Sequence, residues 1–190
     1  RIVNLHPTRL SDIWRDVQTV GSALGRGREA DELVAGLLAR VDAVRVRAAG
    51  IAERPAVLTI EWLAPVMIGG TWMPELVLIA GGRPLVTRPA EHAPTLARDE
   101  LARLAPDVVV VKPCGFRLER TLAEVELVRE ITAGFGAPVW VADGNAFFNR
   151  PGPRIVDSLE ILAACVHPPE FADLAAQHTG AFLKLDPARP

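Results

Sequence analysis

Residues 107–116 read D-V-V-V-V-K-P-C-G-F. Four consecutive valines are β-branched and leave no polar face, so the run suits a strand covered on both sides. Pro113 lacks an N–H and stops it, and Gly115 opens a turn. The pattern predicts a buried strand over Asp107–Val111. Two other stretches repeat the theme. Ala56–Ile60 (A-V-L-T-I) precedes Glu61-Trp62, and Val139–Ala142 (V-W-V-A) is stopped by Asp143-Gly144.

Helical spacing fills the intervals. Leu10, Ile13, Val17, Val20 and Leu24 predict a helix over Arg9–Leu24, with Thr8 as candidate cap and Gly25-Arg26-Gly27 as terminator. A second helix is expected over Glu29–Ala48. Its apolar stripe is Leu33, Leu37, Val41 and Val44, and its basic outer face is Arg40, Arg45 and Arg47. A short helix over Pro74–Ala80 closes at Gly81-Gly82. Further helices are expected over Leu96–Leu104, Leu118–Ala133, Pro153–Val166 and Glu170–Ala176, with Pro153 in its helix's first turn. Arg1–Leu5 suits a strand or extended lead-in, Gly69-Gly70 a loop, and the tail after Gly180 a loose end. Apolar strands alternating with helices predict an α/β fold, a small mostly parallel sheet with helices on both faces.

Composition sets outer limits. Of 190 residues, 49% are hydrophobic and 23% charged, the balance of an ordinary globular chain. The formal net charge of -2 supplies no bulk attraction to nucleic acid or to an anionic membrane. No apolar run is long enough for direct membrane insertion. Cys114 and Cys165 lack metal-ligand spacing. Neither G-x-G-x-x-G nor G-x-x-x-x-G-K-[ST] occurs, so nucleotide cradles of those types are not supported.

In parallel sheets ligands sit outside the carboxyl ends of the strands. The residues that follow each expected strand are therefore the candidates. They are Trp62 and Trp72 after the first, Phe116 after the second, and Asn145, Phe147, Phe148, Asn149 and Arg150 after the third. Aromatic walls with amide and guanidinium groups suit a large, flat ligand with polar edges. Equally, Phe147, Phe148 and Trp62 could cap the sheet's own core. Catalytic readings rest on Glu61 with Glu75 as an acid/base pair, or on Cys114 as a nucleophile in a strand-to-helix turn. His6, His92, His167 and His178 are scattered, and none falls at a strand end.

Several stretches carry a family resemblance. They are Ile60-Glu61-Trp62-Leu63; Trp72-Met73-Pro74-Glu75-Leu76 with Ala80-Gly81-Gly82; Lys112-Pro113-Cys114-Gly115-Phe116 with Leu118-Glu119-Arg120-Thr121; and Asp143-Gly144-Asn145 with Phe148-Asn149-Arg150-Pro151-Gly152-Pro153. Together, in order along nearly the whole chain, they resemble a cobalamin-binding branch of the substrate-binding proteins of ABC transporters. That group has two lobes joined by one long rigid helix and includes siderophore and haem binders.

The resemblance implies non-catalytic binding of a corrinoid of the cobalamin type at the eight residues above. It implies an ABC transporter permease as partner and a periplasmic or otherwise extracytoplasmic location; a corrinoid-binding protein outside transport could be cytoplasmic. Residues 1–27 would be lead-in and linker helix, and residues 28–190 the carboxyl-terminal lobe. The amino-terminal lobe, with its half of the cleft, would be missing from this chain. The acidic residue that docks each lobe to a transporter is not assignable here. Ferric siderophore and haem remain alternative ligands, although haem favours an axial His, Tyr or Met and the chain has 0 Tyr. A small enzyme fragment, or a lobe that dimerises through its uncovered edge, are the readings from other classes.

Overall fold

The computed structural model describes residues 2–186. In chain order the elements begin with two helices, α1 (Leu10–Ala23) and α2 (Gly27–Ala49), and a hairpin of β1 (Ala56–Leu63) and β2 (Val66–Ile68). Next come α3 (Met73–Ile79), the short β3 (Arg83–Pro84), the single turn α4 (Arg98–Leu101) and β4 (Val108–Val111). Then follow α5 (Leu118–Ala123), α6 (Val125–Thr132), β5 (Val139–Ala142), a π-helical turn over Gly144–Phe148, α7 (Ile155–Val166), α8 (Ala172–Gln177) and β6 (Phe182–Lys184). The sheet order is β2-β1-β4-β5-β6, with β3 beside β1.

The three apolar runs form the parallel centre. β4 lies between β1 and β5, with Ile60 opposite Val111 and Val111 opposite Val141. Alternation along β4 feeds two apolar layers. Val108 and Val110 face one layer with Leu37, Val41, Leu76 and Leu159, while Val109 and Val111 face the other with Leu101, Leu118 and Val128. Helices thus cover both faces, as expected. α7 is buried all round except at Asp157, because it lies between the sheet and the outer helices.

Both outer strands, β2 and β6, are antiparallel to their neighbours, so the sheet is mixed. Neither was expected. β2 occupies the interval assigned to a loop, and β6 gives the tail order as far as Lys184. Residues 187–190 and Arg1, from the extended lead-in, lie outside the described residues. The helix expected over Leu96–Leu104 shrinks to α4, and the one over Leu118–Ala133 breaks at Glu124, which caps one helix and starts the next. α7 begins at Ile155, leaving Pro153 outside it.

At the start of α1 the capping acceptor is Asp12, not Thr8: its Oδ2 accepts from the Thr8 and Arg9 N–H groups at 3.0 Å each. Glu75 of α3 accepts from the Leu10 N–H at 2.8 Å. α1 folds back on α2 at a close crossing, where any side chain at Gly21 would overlap the Ala30 methyl. α2, with 23 residues, is the longer of the two helices and spans about 35 Å. Its buried stripe is Ala30, Val34, Leu37, Val41, Val44 and Ala48, so Leu33 faces solvent instead. Arg40, expected on an outer face, reaches inward. It binds Glu160 through Nε (2.9 Å) and Nη2 (2.7 Å), and Asp157 through Nη2 (2.6 Å).

Candidate functional site

The floor of the carboxyl edge is an ion pair. The β1–β4 register continues one step past Ile60 and Val111, so the Lys112 N–H bonds the Ile60 carbonyl at 2.8 Å and the side chains of Glu61 and Lys112 meet. Lys112 Nζ lies 3.1 Å from Glu61 Oε2. Lys112 is fully buried, and its ammonium stands 5.9 Å from the centre of the Phe148 ring. Lys112 therefore joins all three strand ends: Glu61 from β1, itself after β4, and Phe148 after β5.

Above this floor sits an aromatic wall. Trp62 and Phe116 meet edge-to-face with centroids 5.4 Å apart. The Arg120 guanidinium covers the Phe116 ring at 5.2 Å and also holds Glu124 at 2.7 Å. The Trp62 indole donates to the Ala64 carbonyl at 3.1 Å, which fixes the ring across the hairpin turn. Both rings remain half-exposed.

The segment after β5 folds as a π-helical turn. Asp143 Oδ1 accepts from the Ala146 N–H at 2.7 Å and caps the π-helical turn. Asn145 donates its N–H to the Phe116 carbonyl at 2.9 Å, docking the turn on the 112–116 loop. The approach is so close that a Cβ on Gly144 would fall on the Pro113 carbonyl oxygen. Ser158 of α7 donates to the Phe147 carbonyl from below. The two phenylalanines divide: Phe148 is 3% exposed and belongs to the core, whereas Phe147 is half-buried beside the His178 ring, with centroids 6.2 Å apart. Asn145 and Arg150 are exposed, and Asn149 is half-buried.

Trp72 stands apart from this group. β2 runs back from the carboxyl edge, and the Gly69 N–H bonds the Thr59 carbonyl at 2.9 Å, so Trp72 enters on the flank of β1. There it packs on the main core, and its buried indole N–H has no protein partner. The segment around Ala90–His92 lies against the same turn. The Thr71 N–H bonds Glu91 O at 2.5 Å and the Ala90 N–H bonds Thr71 O at 2.9 Å, with both Thr71 (φ 53°) and Ala90 (φ 71°) left-handed. This places the exposed His92 near Trp72, a proximity that separation in the sequence concealed.

The groups considered for catalysis are committed elsewhere. Glu75 serves the start of α1 and Glu61 holds Lys112, so they do not act as one carboxylate pair. Burial pushes the Cys114 thiol up, against a smaller pull from Lys112, which is the opposite of nucleophile activation. Asp157, Glu160 and His178 bring one ligand atom each within 4.8 Å of one another, but the Arg40 guanidinium already supplies the cation at that cluster. Burial pushes the Glu160 carboxyl up, yet hydrogen bonds from Arg40 and His178 leave it below the usual range.

In α/β sheets with helices on both faces, ligands are held outside the carboxyl ends of the strands, where this fold brings its charged and aromatic groups together. The chain belongs to the periplasmic binding protein family, whose profile matches residues 2–134. None of the curated proteins matches it. Among solved structures it is similar to an ABC transporter substrate-binding protein from Listeria monocytogenes (19% identity, TM-score 0.76, 87% of this chain and 67% of that one). It is also similar to S. aureus IsdE complexed with heme (17%, 0.71, 84% and 65%). A third is the periplasmic vitamin B12 binding protein BtuF of Vibrio cholerae (17%, 0.67, 91% and 65%). The chain thus spans about two thirds of the length of these structures. Among the described residues, no helix is long and apolar enough to cross a membrane.

Proposed function

We propose that this chain is the carboxyl-terminal lobe of an ABC-importer substrate-binding protein and that its carboxyl edge holds one face of a corrinoid of the cobalamin type. The observation that carries this reading is the edge itself: the Trp62 ring packs on Phe116, Asn145 docks the turn after β5 on the Phe116 carbonyl, and the Lys112–Glu61 pair lies at the same strand ends. A corrinoid has a broad apolar face and a fringe of amides, which suits rings flanked by Asn145, Asn149 and Arg150. Phe147 lines the same turn, Phe148 supports it from the core, and Trp72 contributes from the flank. The likeness to a vitamin B12 binding protein supports the choice of ligand.

The sequence resemblance puts the linker helix within residues 1–27, where α1 has 14 residues; in this proposal α2 is instead the helix that joins the lobes, because its 23 residues make it the longer of the pair. The second lobe covers the other face of the ligand, an ABC permease receives it, and the protein works outside the cytoplasmic membrane. Binding is non-covalent. Haem is the second reading, supported by the likeness to S. aureus IsdE complexed with heme, with the exposed His92 as candidate axial imidazole.

Calorimetric titration tests the proposal. The full-length protein is titrated with cyanocobalamin, and with haem and a ferric siderophore as controls. One-to-one binding of cyanocobalamin, and much weaker binding by this chain alone, is expected. Binding of haem only, lost in His92→Ala, would replace the first reading by the second. Failure of the full-length protein to bind any of the three would overturn both.

A further inference from the structure

The Lys112–Glu61 pair has a polarity that the aromatic wall does not explain. Its cation is hidden, with a Lys112 side chain 1% exposed, whereas the Glu61 side chain is 19% exposed. The pair is therefore a dipole sunk in the carboxyl edge with its negative end outward. A carboxylate only accepts hydrogen bonds. Lys112 engages Oε2, leaving Oε1 to a group arriving from outside. The backbone on either side is pinned, since the Cys114 N–H bonds the Glu61 carbonyl at 2.9 Å and Trp62 is held by its indole. The acceptor is thus preorganised and next to the apolar wall.

We infer that Glu61, oriented by Lys112, is a specificity-determining residue that accepts a hydrogen bond from a carboxamide N–H on the ligand's rim and disfavours a carboxylate at the same place. The ligand class it selects is an amide-fringed macrocycle over a carboxylate-fringed one, such as a porphyrin with propionates. This rests on the reading of the edge as a chelate site. An amide satisfies the exposed oxygen. A carboxylate would bring a second acceptor and a like charge into a partly desolvated place, where such juxtaposition strongly lowers affinity.

The experiment compares cyanocobalamin with its monocarboxylic acid derivatives, in which one peripheral amide is hydrolysed, on the full-length protein by calorimetry at pH 7. The wild type is expected to bind at least one regioisomer roughly tenfold or more weaker than cyanocobalamin. Glu61→Gln should shrink that gap to roughly twofold or threefold, since a glutamine amide can donate as well as accept. Because Glu61→Gln leaves Lys112 buried without its counter-charge, the pair Glu61→Gln/Lys112→Met is measured alongside, and the gap should close there too. If every regioisomer keeps the same ratio in wild type and both variants, the assignment of Glu61 is overturned while the site reading stands. If wild type binds cyanocobalamin not at all, the site reading fails and the inference falls with it.

Discussion

Replacing Arg40 by Met tests what fastens α2 to the rest of the lobe. The guanidinium bridges Asp157 and Glu160 of α7, and Glu160 Oε2 also meets His178 Nε2 at 2.7 Å. Glu160 is 4% exposed, so without Arg40 it would keep a buried charge with only His178 and the Gln177 amide nearby. Removing one partner of a fully buried pair costs about 3–5 kcal/mol. Arg40's side chain is 38% exposed, and solvent screens part of the attraction, so the expected loss is about 2–3 kcal/mol. For a domain of this size that lowers Tm by roughly 5–10 °C.

Thermal unfolding followed by far-UV circular dichroism reads the change. The acid limb adds a second signature. The Glu160 carboxyl lies lower folded than its ordinary value near 4.5, so its contribution is present in full above that value and fades as the pH falls below it. Arg40→Met should therefore flatten the stability profile below about pH 4.5. Adding Glu160→Gln should recover part of the loss, because the uncompensated charge goes with it. A Tm within roughly 2 °C of wild type, with an unchanged acid limb, would refute the reasoning and leave α2 held by its apolar stripe and the Arg47–Asp173 pair.

Three further perturbations bear on the site. Gly144→Ala drives a methyl onto the Pro113 carbonyl oxygen and should cost about 1–3 kcal/mol in urea unfolding, with no loss from Gly134→Ala, where a Cβ meets open space. Phe148→Ala should lower stability by about 3–5 kcal/mol, whereas Trp62→Ala should leave folding nearly intact and weaken corrinoid binding by the full-length protein roughly thirtyfold; equal effects on folding would place Trp62 in the core. Alkylation of Cys114 should be slow at neutral pH, its rate should keep rising with pH past the ordinary thiol value near 9 before it levels off, and Lys112→Met should slow it further by removing a cation that lowers the thiol pKa. Cys165, fully buried and pushed well up, should react only on unfolding.

How much of this was legible follows from which signals are local. The parallel centre announced itself because β1, β4 and β5 are apolar on both faces and stopped by Pro or Asp-Gly. The edge strands did not. Val66–Ile68 and Phe182–Lys184 have 3 residues each, too short for a period to show, and they become strands only because β1 and β5 offer open edges. The break at Glu124 interrupts an otherwise continuous helical pattern and carries neither Gly nor Pro. Strand-end position identified Trp62, Phe116 and the 143–150 turn as neighbours, but depth is tertiary. Adjacent phenylalanines in a π-helical turn point about 80° apart, so one enters the core and the other meets His178.

The ion pair shows the same limit more sharply. Glu61 and Lys112 each follow an apolar run, yet nothing local states that Ile60 pairs with Val111 rather than with a neighbour. A one-residue slip would turn either side chain to the other face of the sheet. Only the register makes them partners, and only the partnership makes a fully buried lysine tolerable at the edge of an apolar core. That is why the edge carries a largely buried ion pair, with Glu61 its more exposed partner, instead of two solvated charges. In the proposed site the aromatic wall would serve affinity for flat ligands, and a fixed acceptor beside it would be the reason to prefer one fringe chemistry over another.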